Sequence, residues 1–115
     1  MIKSIKNTEQ YQWGDVCDGW HLLKSDTLSV IQEKMPGGTF EKLHFHTHAQ
    51  QLFFILSGTA SFDINGEKFS VNTNESIHVP KMTKHFISNS NEAELHFLVI
   101  SEPKSHGDRV NVPSE

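Results

Sequence analysis

Only one cysteine, Cys17, stands among the 115 residues, so no internal disulfide can brace the chain. That scarcity suits a reducing compartment, and a cytoplasmic location is the expectation. Long hydrophobic runs are missing too. The longest, Leu52 to Leu56, is far short of the roughly 20 residues a membrane-crossing helix needs. The opening residues, Met-Ile-Lys-Ser-Ile-Lys-Asn, hold no apolar stretch of signal-peptide length. Basic residues are few and scattered and the net charge is −4, which argues against nucleic acid, because phosphate binding calls for a clustered basic face. No segment carries a 3.6-residue apolar period, and neither low-complexity tracts nor fixed-spacing repeats occur. A helical bundle and a solenoid are thereby excluded.

What remains is a chain of 36% hydrophobic and 21% charged residues, enough apolar content for one folded domain. Short β-rich stretches alternate with turn signals every eight to twelve residues. Strands are predicted at Trp20–Lys24, Thr27–Met35, Phe40–His46, Gln51–Leu56, Thr59–Ile64, Glu67–Val71, Ser76–Val79, His85–Ser88 and Glu94–Ile100. Pro36-Gly37-Gly38 breaks the chain, and Asn65-Gly66 is its strongest hairpin signal. Residues 1–19 read as an N-terminal arm anchored by aromatics, with room for one strand. From Ser101 onward the chain reads as a polar tail. This pattern describes an all-β sandwich or small barrel.

Chemistry concentrates in histidine. Three of the eight lie within five residues, at 44, 46 and 48. On an extended strand alternate side chains share a face, so His44 and His46 form a ready pair of metal ligands. His48 has the same parity but stands where a turn is expected, which suits a place at the rim.

Gly38, five residues, His44-x-His46, four residues, Gln51, six residues, Gly58 resembles the first motif of the cupin family. Asn74, five residues, Pro80-x-Met82, two residues, His85, three residues, Asn89 resembles the second, across an intermotif of fifteen residues. The resemblance covers roughly residues 28–101. It implies a double-stranded β-helix, or jelly-roll cupin barrel, occupying residues 20–103 between the arm (1–19) and the tail (104–115). It also implies a divalent metal, one of Fe, Mn, Ni, Zn or Cu, held by His44, His46, Gln51 and His85. Three imidazoles and one oxygen would leave one or two coordination positions free.

Gln51 stands where the family has glutamate. Its amide oxygen either coordinates or hydrogen-bonds a metal-bound water, and it brings no negative charge, which favours an anionic ligand. Asn74 and Met82 replace motif glycines. Asparagine tolerates the left-handed turn, whereas Met82 suggests a reshaped loop with an apolar group at the pocket mouth. Phe40, Phe53, Ile55 and Ile87 share strand parity with the ligand positions and are candidates for an apolar wall or for ordinary core. His96, on a late strand, is a further pocket candidate. The resemblance implies a metal-dependent enzyme, dioxygenase-like or isomerase-like, acting on a small oxygen-rich metabolite. The alternative is a non-catalytic sugar- or metabolite-binding module. A homodimer that shares its N-terminal arm is the expected assembly.

Overall fold

The computed structural model describes residues 1–14 and 16–113. Residues 15, 114 and 115, included in the expected arm and tail, lie outside the described residues. Among the described residues no helix forms, and none is therefore long and apolar enough to cross a membrane. The strands are β1 (Gln10–Trp13), β2 (Cys17–Lys24), β3 (Ser29–Met35), β4 (His44–His46), β5 (Gln50–Ser57), β6 (Thr59–Ile64), β7 (Glu67–Asn72), β8 (Ser76–Val79), β9 (His85–Ser88), β10 (Leu95–Glu102) and β11 (Arg109–Asn111). One sheet runs β1-β2-β3-β10-β5-β8 and the other β11-β4-β9-β6-β7. The expected jelly roll is present.

The two sheets share an aromatic core. Phe53 of β5 lies 5.0 Å from Phe62 of β6 and 6.0 Å from Phe97 of β10, ring centre to ring centre. Met35, Ile55, Ala60, Ile87 and Leu95, all fully buried, fill in around them. The alternation expected of β10 holds: Leu95, Phe97 and Val99 are buried and the residues between them half-buried. Asn65-Gly66 turns β6 into β7 with both residues at positive φ, 52° and 86°, the type I′ geometry that matches strand twist. Asn89, 1% exposed, ties the β3–β4 connection to the β9–β10 turn. Its amide donates to Met35 O at 3.0 Å and Ala93 O at 2.8 Å, and its Oδ1 accepts from Asn91 N at 3.1 Å.

Three expectations need correction. The histidine strand is only three residues long, with Phe40 making an isolated bridge to Ser88. Residues 40–43 spend their backbone and side-chain groups on local and cross-loop bonds, such as Glu41 N to Ile87 O at 3.1 Å. The arm carries the one strand allowed for it, β1, but its partner β2 begins at Cys17 rather than Trp20. Gly19 makes this pairing possible, because the Tyr11 ring lies against its Cα where any side chain would collide. In β3 the buried residues are Ser29, Ile31 and Met35. Finally, the stretch read as a polar tail continues β10 to Glu102 and returns as β11, which pairs antiparallel with β4 (Val110 opposite Phe45). Asp108 fastens that return, its Oδ2 accepting from His48 N and Ala49 N, both at 2.9 Å. Polar side chains concealed this strand, since its pairing is made by backbone.

Candidate metal centre

The register between β4 and β9 sets His44 directly opposite His85. Residues so paired bring their Cβ atoms to about 5 Å, and the two rings lie 4.3 Å apart. His46, two residues along the same face of β4, is 5.1 Å from His44 and 5.8 Å from His85. One nitrogen from each ring falls within 4.8 Å of the others, so these three histidines can hold a metal ion.

Local backbone geometry aims two of the rings. His44 Nδ1 donates to Lys42 O and His85 Nδ1 to Thr83 O, each at 2.8 Å and each two residues back. A carbonyl only accepts, so both rings carry their proton on Nδ1 and their lone pair on Nε2. His85 Nε2 is buried with no hydrogen-bond partner. Burial holds His44 down at a pKa of about 3 and His46 at about 4, helped by the neighbouring His85 and Arg109, and burial lowers His85 as well. The three imidazoles are therefore neutral near pH 7, the state a metal requires.

Gln51, on the opposite sheet, lines the same cavity as His44 and His46. It faces Ser101 across the β5–β10 pair, and its Nε2 donates to Ser101 Oγ at 3.1 Å. That bond fixes the amide and leaves Oε1 buried without a partner. Buried polar atoms left without partners, Gln51 Oε1 and His85 Nε2 among them, are costly unless something arrives to meet them, and a divalent cation suits imidazole nitrogen and amide oxygen alike.

In front of the histidines lies a cavity of about 300 Å³, at the small end of ligand pockets. His44, His46 and Gln51 form its floor, while Ile31, Phe53 and Val99 make an apolar wall. Tyr11 and Trp13 come from β1, Glu33 from β3, and Ser105, His106 and Arg109 from the β10–β11 return. Arg109 Nε donates to Asn111 Oδ1 at 2.8 Å, and its Nη1 stands 3.8 Å from Glu41 Oε2. Burial drives Glu41 up to about 7 despite that guanidinium. Burial together with the Glu41 charge drives Glu33 well above the ordinary carboxylate range.

Of the pocket candidates, Phe53 lines the cavity. Ile55 and Ile87 lie in the core. His48 and Met82 are exposed, and Phe40 is 68% exposed on the outside of the small sheet. Those three do not line the cavity, because β4 is too short to carry Phe40 inward and His48 has already entered the turn. Met82 adopts the left-handed conformation of the glycine it replaces (φ 62°), donating its N–H to His46 O at 2.7 Å, and its side chain goes to solvent. Asn74 takes φ 68°, as asparagine permits. His96 sits 3.5 Å from Glu94, outside the cavity lining. Reading the sequence missed Tyr11, Glu33, Ser105, His106 and Arg109. For Glu33 a signal was present: it is a charge on the inward parity of β3, between Ile31 and Met35.

The family description "Cupin domain" matches residues 30–101, more than half of the chain, and the protein belongs to the cupin family. An uncharacterised protein of Methanocaldococcus jannaschii is 30% identical over 89 residues, 76% of this chain and 71% of that one. Among solved structures, a predicted oxalate decarboxylase of Thermotoga maritima superposes with a TM-score of 0.82 at 19% identity, covering 90% of this chain and all of that one. KdgF of a Halomonas species gives 0.80 at 15% identity, with 88% and 91% covered. At such identities the structural likeness speaks for the fold alone.

Proposed function

We propose that this cupin is a metal-dependent enzyme acting on a small, oxygen-rich, anionic metabolite. The observation that carries the reading is the cluster of three buried, neutral imidazoles, His44, His46 and His85, whose ligand nitrogens lie within 4.8 Å of one another, with His85 Nε2 unpartnered and with His44, His46 and Gln51 lining one cavity. These four residues would hold the ion, which supplies Lewis acidity to a bound oxygen or, if it is iron, nickel or copper, dioxygen chemistry. Iron, manganese, nickel, zinc and copper all accept such ligands, and the ion's identity separates a dioxygenase-like from an isomerase-like reaction. Around it the chain holds a fixed positive charge at Arg109 and keeps water off one side with Ile31, Phe53 and Val99. A cytoplasmic homodimer stays part of this proposal, supported by the scarcity of cysteine and by the place of β1 at the edge of its sheet.

Elemental analysis of protein purified without a histidine tag tests the metal. About one transition-metal ion per chain is expected, falling by more than roughly a hundredfold in affinity when His85→Ala removes a donor. Protein that takes up no metal, or in which His85→Ala binds it equally well, sinks the reading. Metal-loaded protein that binds acids without turning any over would be a binding module, not an enzyme.

A further inference from the structure

We propose that Glu33 and Arg109 together select the ligand of this cavity, a small hydroxy-carboxylate whose acid group is held by Arg109 and the ion and whose hydroxyl meets Glu33. The inference rests on the metal-centre reading above and goes beyond it in assigning the far wall.

Glu33 stands on β3, in the sheet opposite the β4 histidines, between Gly19 of β2 and Phe97 of β10. Its neighbours in parity, Ile31 and Met35, are buried, so the side chain is carried inward, and it lines the cavity. Among the described residues its half-buried carboxyl makes no hydrogen bond or ion pair, and Tyr11, Cys17, Glu41 and Arg109 lie within its electrostatic reach. A carboxyl that lines a cavity without a protein partner is open to a polar group of a ligand. A ligand hydroxyl is a partner for either form of the acid, since it both donates and accepts.

The other end of the ligand follows from charge. His44, His46, His85 and Gln51 contribute none, while Arg109 adds one positive charge to those of a divalent ion. The cavity then demands an anion, and the guanidinium fork suits the flat, two-oxygen carboxylate. Ile31, Phe53 and Val99 offer a carbon skeleton a dry surface. A fully hydrated inorganic anion would gain nothing from that wall.

Cobalt(II) gives a visible spectrum that responds to ligands, and loading the protein with the metal alone comes first. Failure to load refutes the metal centre itself, and is seen before any acid is added. Loaded protein is then titrated with lactate, propionate and inorganic phosphate. Lactate is expected to bind at least about tenfold more tightly than propionate, the worth of a hydrogen bond to a carboxyl. Part of that preference arises from chelation, so the deciding quantity is its change in variants. Glu33→Leu should cut the lactate-to-propionate ratio about tenfold while leaving propionate within about twofold, and Glu33→Gln should restore part of it. Arg109→Lys should weaken both acids about tenfold, through loss of the fork. An unchanged ratio in Glu33→Leu overturns the proposal. So does a preference for phosphate over both acids, or a cobalt-loaded site that ignores lactate up to ~10 mM.

Discussion

Replacing Glu41 with glutamine offers a direct measure of how dry the ground behind the histidine strand is. Glu41 has two partners: Ile87 N donates to Oε1 at 3.1 Å, and Arg109 Nη1 stands 3.8 Å from Oε2. Both favour the ionised acid. Burial opposes them and wins, lifting the pKa from the ordinary 4.5 to about 7. Because the folded value is the higher one, the stability Glu41 lends is whole below pH 4.5 and drains away as the pH climbs through 7. At about 1.4 kcal/mol for each pH unit between the two values, the loss is about 3 kcal/mol. Glutamine keeps the shape and can still accept from Ile87 N, but it does not titrate. Urea unfolding of both proteins at pH 4.5, 6 and 7.5 reads this group together with its coupling to Glu33, whose rise the Glu41 charge assists. The wild type should lose about 3 kcal/mol relative to Glu41→Gln between the first and last pH. A gap constant to within ~0.5 kcal/mol, or one that moves in favour of the wild type as the pH rises, would mean that Arg109 holds the carboxylate ionised and that the reasoning from burial is wrong.

Other substitutions probe the frame. Asn89→Ala removes three hydrogen bonds from a buried amide and strands the carbonyls of Met35 and Ala93; a loss of about 2–4 kcal/mol is expected in chemical denaturation. Phe97→Ala opens a void beside Phe53 in a fully buried site and should cost about 3–5 kcal/mol by the same measurement. Gln51→Glu places a negative charge against the donor cluster and should tighten cobalt binding by roughly tenfold or more, read by competition with a chelator; weaker binding would place Oε1 outside the ion's reach.

The sequence was most legible where a structure depends on neighbours in the chain. Asn65-Gly66 dictates its own turn, and His44 and His46 share a face whatever lies around them. The strands Ser76–Val79 and His85–Ser88 were found at their observed bounds because Pro80 and Asn89-Ser90-Asn91 punctuate them. The far wall of the cavity was another matter. The inward parity of Glu33 was a local sign, but its sharing a cavity with His44 and His46 depends on β3 joining β10 and on the two sheets closing on each other. Arg109 was hidden more deeply, in a polar segment whose strand is held by backbone bonds to β4 and by Asp108. Apolar alternation, the signal on which strand prediction relies, is missing from all three residues of β11, which are exposed.

β11 also has a bearing on how the protein comes into being. A ribosome releases His44 and His46 long before Arg109, and sixty positions separate His48 from the aspartate that clamps it. Until that late strand arrives, β4 has one bare border, the kind of edge to which stray strands can pair. The border of β4 is therefore covered only once residues 109–111 have been made, and the histidine strand is last among its sheet-mates to gain its full set of backbone partners.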